Sequence, residues 1–152
     1  MKITAQEEYG LRCLLQLARA TPGEVISVKA IATREGLSAA YVEKLLRILS
    51  RAGLVHSLRG LRGGYVLNRP ATDVTLGEVV RALGAVQTAT HICTLFTGNQ
   101  RACVHVRDCG IRSVWSSLMN TMQHCLDQTT VASLLDDEDV VSERLAQRVR
   151  LV

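Results

Sequence analysis

Between Ser27 and Arg51 apolar residues recur twice at helical spacing, and only Gly36, Leu37 and Ser38 separate the two runs. Val28, Ile31 and Ala32 form the inward face of the first run, residues 28–35. Val42, Leu45, Leu46 and Leu49 give the second, residues 39–52, an i, i+3, i+4, i+7 stripe. Ser27 and Ser38 are suited to cap these helices, and Gly36 to close the first in the left-handed conformation. Two short helices joined by a tight, Gly-containing turn are the helix-turn-helix pattern. The second helix is expected to expose Ala39, Ala40, Tyr41, Glu43, Lys44, Arg47 and Arg51. Small residues at its start (Ser38, Ala39, Ala40) let a backbone approach base edges, while Tyr41, Lys44 and Arg47 can hold phosphates. A helical hairpin with a solvated face fits these residues equally well.

The next segment favours the nucleic-acid reading. "GLVHSLRGLRGGYVLNRP", residues 53–70, alternates like a β-hairpin with strands at 54–58 and 65–67. Gly60, Gly63 and Gly64 permit the positive φ of a tight loop. Arg59 and Arg62 stand at the tip and Arg69 at the end. A slim cationic hairpin after a helix-turn-helix is a wing, suited to the electronegative minor groove. Charge is distributed accordingly: residues 1–70 hold eleven Lys/Arg against five Asp/Glu, and the remainder seven against nine. A basic half joined to an acidic one suits a polyanion-binding module with an appended second function.

Around this module the chain reads as helical. Leu11, Leu14, Leu15 and Ala18 mark a helix over 5–20, ended by "TPGE". Thr75 and Glu78 form a capping box for a helix bearing Leu76, Val79, Val80 and Leu83. A longer helix over 111–128 carries the stripe Ile111, Val114, Trp115, Leu118, Met122, Cys125 and Leu126, as a dimerisation helix would. A short helix capped by Thr130 should follow over 130–136, and after the acidic "DDED" a final helical segment, in a tail over 139–152 expected to be partly disordered. Aromatics are only 3% of the chain, so the core must come from aliphatic side chains, which favours helices over a sandwich or barrel. No apolar run is long enough to span a bilayer and no signal peptide is evident, so a cytoplasmic location is expected.

Cysteines are uncommon in stable cytoplasmic disulfides, so their grouping here points to metal ligation or redox chemistry. Cys93, Cys103 and Cys109 lie in a polar stretch with His91 and His105, spaced C-x9-C-x5-C. Structural zinc prefers close pairs, though a histidine could complete a tetrahedral site. A larger iron–sulfur cluster tolerates spread ligands but needs a fourth. Cluster, thiol switch and zinc all fit the spacing. Cys13 and Cys125 fall on apolar helix faces as small core residues. No nucleophile–base pair or phosphate loop is evident, and Cys103 with His105 makes a poor dyad because loop neighbours rarely orient one another. The chain is not expected to be an enzyme. A winged helix used for protein contact is the other class, which the wing arginines argue against.

The order of parts, with "RGLRGGYVL" and the cysteine triplet, resembles the iron–sulfur winged-helix transcription regulators of the IscR/NsrR type over roughly residues 1–135. The resemblance implies a mainly α, winged helix-turn-helix homodimer, built as 1–84 for DNA binding, 85–110 for a cluster and 111–152 for dimerisation. It implies a repressor that acts as a redox sensor, with a 4Fe–4S cluster ahead of 2Fe–2S, on a pseudo-palindromic duplex. The implied ligands are Cys93, Cys103 and Cys109. One branch takes a histidine three residues after the last cysteine, where this chain has Arg112. Another takes a carboxylate of the opposite subunit, matched here by Glu8 with Glu7 beside it. Related 2Fe–2S sensors add a histidine where Arg12 stands, and the first cysteine gap is longer than is common in the family. These departures point to three cysteines plus Glu8.

Overall fold

A computed structural model describes residues 3–60, 63–84, 93–105 and 107–149. It opens with α1 (Ala5–Ala18), held by a capping box in which Thr4 and Glu7 satisfy each other's end of the first turn. Helices α2 (Val28–Glu35) and α3 (Ala39–Arg51) follow, capped by Ser27 and Ser38 as their sequence suggests. Gly36 closes α2 at φ 66°, a conformation that costs glycine nothing. The turn from Gly36 to Ser38 brings α3 across α1 and α2, and α3 buries Val42, Leu45, Leu46 and Leu49 there.

Strands β1 (Val55–Leu58) and β2 (Gly64–Leu67) pair antiparallel, with Val55 opposite Leu67 and Leu58 opposite Gly64. Ile26, just before α2, extends this hairpin by one bridge: its N–H donates to the Tyr65 carbonyl at 3.1 Å and its own carbonyl accepts from Tyr65 at 2.9 Å. The three expected loop glycines therefore differ. Gly60 alone takes positive φ, at 122°. Gly64 is needed for proximity, because a Cβ there would lie 2.7 Å from the Ile26 carbonyl carbon and 3.0 Å from the Ser27 nitrogen. Gly64→Ala should destabilise the fold by about 1–3 kcal/mol through overpacking against backbone. Urea titration checks this, and a loss under about 0.5 kcal/mol would show that the Ile26 segment yields freely.

After a short 3-10 helix (Ala71–Asp73) comes α4 (Leu76–Leu83), with the expected Thr75–Glu78 capping box. Glu78 also accepts from Arg69 at 2.7 Å. The Arg69 guanidinium, with the Thr75 amide, holds the Glu78 carboxyl below its usual range. Arg69 thus fastens the end of the wing to α4. Helix α4 lies close on α1 at Gly10, where a Cβ would come within 2.5 Å of Leu83.

The long helix α5 (Gly110–Asp127) is attached at its C-terminal end. Asp127 accepts from Arg81 at 2.8 Å and from Gln123 at 3.1 Å, and its carboxylate sits where a Cβ on Gly77 would be. Beyond α5 the chain turns back: Leu76 N–H donates to the Thr129 carbonyl at 2.7 Å and Val131 N–H to the Val74 carbonyl at 2.8 Å. Val131 is fully buried with Leu14, Leu45, Leu46 and Val79 in one core. Because 129–131 pairs in this way, the helix expected over 130–136 shrinks to one 3-10 turn, Ala132–Leu134. The expected final helical segment is helix α6 (Glu138–Val149), tied back by Arg144 to Asp136 at 2.9 Å. No helix among the described residues is long and apolar enough to cross a membrane.

Candidate nucleic-acid interface and cysteine segment

Helix α3 presents Ala40, Glu43, Lys44, Arg47, Ile48 and Arg51 along a shallow open groove. Ser38, Ala39, Ala40, Lys44 and Arg47 are exposed. Arg47 pairs with Glu43 at 2.6 Å, an exposed i,i+4 contact worth only a few tenths of a kcal/mol in water. Its guanidinium is therefore easily drawn to a stronger acceptor. Tyr41 differs from its expected exposure. It is half-buried, its ring meeting Tyr9 edge-on at 6.1 Å. Tyr9 in turn lies under the Arg12 guanidinium at 5.5 Å, and Arg12 pairs with Glu35 at 2.7 Å. The start of α3 is thereby packed on α1, a contact that local sequence pattern does not reveal.

In the wing, Arg59 is exposed beside Gly60, while Arg62 lies outside the described residues. His56 pairs with the Asn68 side chain, which also donates to the Gly53 carbonyl at 2.7 Å and braces the hairpin base.

Cys93, Cys103 and Cys109 carry free thiols, each half-buried. Cys93 opens a helical turn at 93–95, and Cys109 is the N-cap of α5, its Sγ accepting from the Arg112 N–H at 3.4 Å. A helix N-terminus suits an anionic sulfur ligand. Arg112, which stands where one branch has its histidine ligand, donates from its guanidinium to the His105 carbonyl at 2.7 Å. His105 is exposed, and His91 lies outside the described residues. Among the described residues no group of three His, Cys, Asp or Glu side chains forms a metal-holding set. The donor type nevertheless suits a cluster: three free, partly accessible soft thiols, to which a fourth ligand would have to be added.

The two acidic residues of α1 have different surroundings. Glu7 is occupied, accepting from Thr4 N–H and Oγ1 at 2.7 Å each and packing at Gly84. Glu8 is exposed, and its side chain has no hydrogen bond or ion pair among the described residues. Cys13 is fully buried, and desolvation, helped by Glu35, pushes its thiol up to about 11, as befits a core residue. Cys125 is half-buried on α5.

Helix α5 buries none of its residues within this chain. Ile111 (68% exposed), Val114 (57%), Trp115 (43%) and Leu118 (57%) form a bare stripe along its first half, while Met122, Cys125 and Leu126 are half-buried. A lone chain rarely leaves such a stripe in water.

Comparison with known proteins agrees with this architecture. The family model described as Rrf2, iron-dependent transcriptional regulator, matches residues 3–137. The transcriptional regulator NsrR of Bacillus subtilis is 30% identical over 148 residues, covering 97% of this chain and 99% of that protein. The structure of T. potens IscR superposes with a TM-score of 0.70 at 30% identity, covering 89% of this chain and 86% of that one. CymR, the global cysteine regulator of B. subtilis, also gives 0.70 at 30% identity, covering 90% and 99%. With its winged helix-turn-helix and a family match over nearly its whole length, this chain belongs to the Rrf2 family of DNA-binding transcription regulators and is not an enzyme.

Proposed function

We propose that this regulator is a homodimeric repressor of a pseudo-palindromic duplex operator, and that a labile iron–sulfur cluster controls its affinity. The ligands in this reading are Cys93, Cys103 and Cys109 of one subunit and Glu8 of the partner subunit. The observation that carries it is Cys109 at the cap of a helix with a bare apolar stripe, with Cys93 and Cys103 as further free, half-buried thiols in the segment before it. Glu8 is favoured over Glu7 because Glu7 already serves the cap of α1. A cluster bound there would supply a centre prone to oxidation and loss. A carboxylate holds iron less firmly than thiolate, which suits a sensor. The chain's own part is mechanical. Sharing Glu8 ties the cysteine segment of one subunit to α1 of the other, and α1 supports the start of α3 through Tyr9 and Tyr41. Without that tie the two α3 helices can change their separation, while DNA fixes the half-site spacing. On the duplex, Lys44 and Arg47, with Ser38, Ala39, Ala40 and Tyr41 at the helix start, serve the major groove, and Arg59 and Arg62 the minor groove.

The test is an anaerobic preparation assayed for visible absorption, iron and sulfide. The expected protein is brown, Cys109→Ala is colourless, and Glu8→Ala loses its iron faster than the parent while His105→Ala does not. Should Glu8→Ala keep the parental spectrum and cluster lifetime while His105→Ala loses the cluster, ligation by Glu8 is wrong. A second reading keeps the DNA-binding dimer but makes the cysteines a thiol switch. The equal structural likeness to CymR favours it. A colourless, iron-free preparation whose operator binding responds to oxidant would establish that reading instead.

A further inference from the structure

Arg112 occupies the third position of α5. Acidic residues stabilise that position, because the first turn carries the positive end of the helix dipole, and a cation there is mildly unfavourable. The first turn of α5 has no acidic residue at all. What the helix loses by this choice must be explained by what the side chain reaches. The Arg112 guanidinium extends back along the chain and donates to the His105 carbonyl at 2.7 Å, while its own N–H meets Cys109 Sγ at 3.4 Å. One residue therefore touches this segment at His105 and at Cys109.

We infer that Arg112 is a positioning residue for the cysteine segment, a staple that holds His105, two residues from Cys103, against the start of α5. The inference rests on the reading of these cysteines as ligands, though the staple itself is a property of the cluster-free chain. These two of its contacts divide the work. The backbone N–H on Cys109 Sγ survives any substitution that keeps the helix, and the guanidinium on His105 does not. Removing the guanidinium should therefore free residues 103–108 while leaving the cap at Cys109 in place. Lysine can still offer one donor to a carbonyl but lacks the planar fork that makes a directed contact.

The experiment compares the parent protein with Arg112→Ala and Arg112→Lys. In cluster-free protein, amide exchange over 103–108 and alkylation of Cys103 are read by mass spectrometry, with Cys93 as internal reference. Arg112→Ala should raise both about fivefold, the size expected for loss of one charge-assisted hydrogen bond at a half-exposed site. Cys93 should not change, and Arg112→Lys should recover much of the difference. In anaerobically loaded protein, iron release to a chelator should follow the same order. Unchanged exchange over 103–108 in Arg112→Ala would overturn the staple, as would an increase spread equally over α1–α4. If the parent takes up no iron, the cluster reading fails, and the exchange measurements alone decide the staple.

Discussion

Leu118→Glu will convert the protein to a monomer at micromolar concentration. The bare stripe of α5 runs Ile111, Val114, Trp115, Leu118, and in a symmetric dimer the same patch lies on both sides of the interface. One substitution thus places two carboxylates at one apolar seam. Burying an unpaired charge costs several kcal/mol, so the dimer dissociation constant should rise by about a thousandfold or more. The winged helix should remain folded, since α5 buries none of its residues within its own chain. Sedimentation gives the mass, and the single tryptophan, Trp115, gives an independent signal because its emission should shift to longer wavelength as the interface opens. A Leu118→Glu protein that still sediments as a dimer would rule out α5 as the seam. Operator affinity should fall as the dimer is lost, since each half-site then loses its tethered neighbour.

The second large effect concerns salt. Arg59→Ala combined with Arg62→Ala should weaken operator binding and flatten its dependence on ionic strength. Each arginine acts twice in a dimer, and each lost phosphate contact removes about one unit from the log–log slope, so the slope should shrink by about four. Lys44→Ala with Arg47→Ala should weaken binding too and, in addition, blur discrimination between operator and unrelated duplex, since α3 is the element proposed for the major groove. Binding measured across salt separates the two. If the wing variant retains both the parental affinity and the parental slope, Arg59 and Arg62 are not minor-groove contacts.

The helices were legible in the sequence because their determinants are local. Stripes such as Val42, Leu45, Leu46, Leu49 and caps such as Ser27, Ser38 and Thr75 lie within a few residues of what they specify. The Thr4–Glu7 box has the same signature as Thr75–Glu78 and was equally open to reading. Contacts joining distant segments were not legible. Tyr9 on Tyr41, Arg12 on Glu35, and the Ile26 backbone over Gly64 depend on how α1, α2 and the hairpin pack, which no periodicity encodes. The same is true of Val131, whose burial completes a core built mostly from residues far upstream. In the cysteine segment the sequence marks the donor types, but their mutual placement depends on polar loop geometry and, in the proposed site, on a second subunit. Arg112 illustrates the limit: its departure from a histidine ligand is visible in the sequence, and its grip on the His105 carbonyl is not.

The attachment of α5 at one end makes it a lever. Its fulcrum is the group of contacts around Asp127, Gly77 and Arg81, and its free arm ends at Cys109, 18 residues away. At 1.5 Å per residue the arm is about 27 Å long. A displacement of about 3 Å at the Cys109 end therefore corresponds to a tilt of only about 6° at the fulcrum. The arm magnifies small rotations of the winged helix into large travel at the cysteines. Bulk at Gly77 would jam the pivot without touching the core, the cysteines or the DNA-facing side of α3.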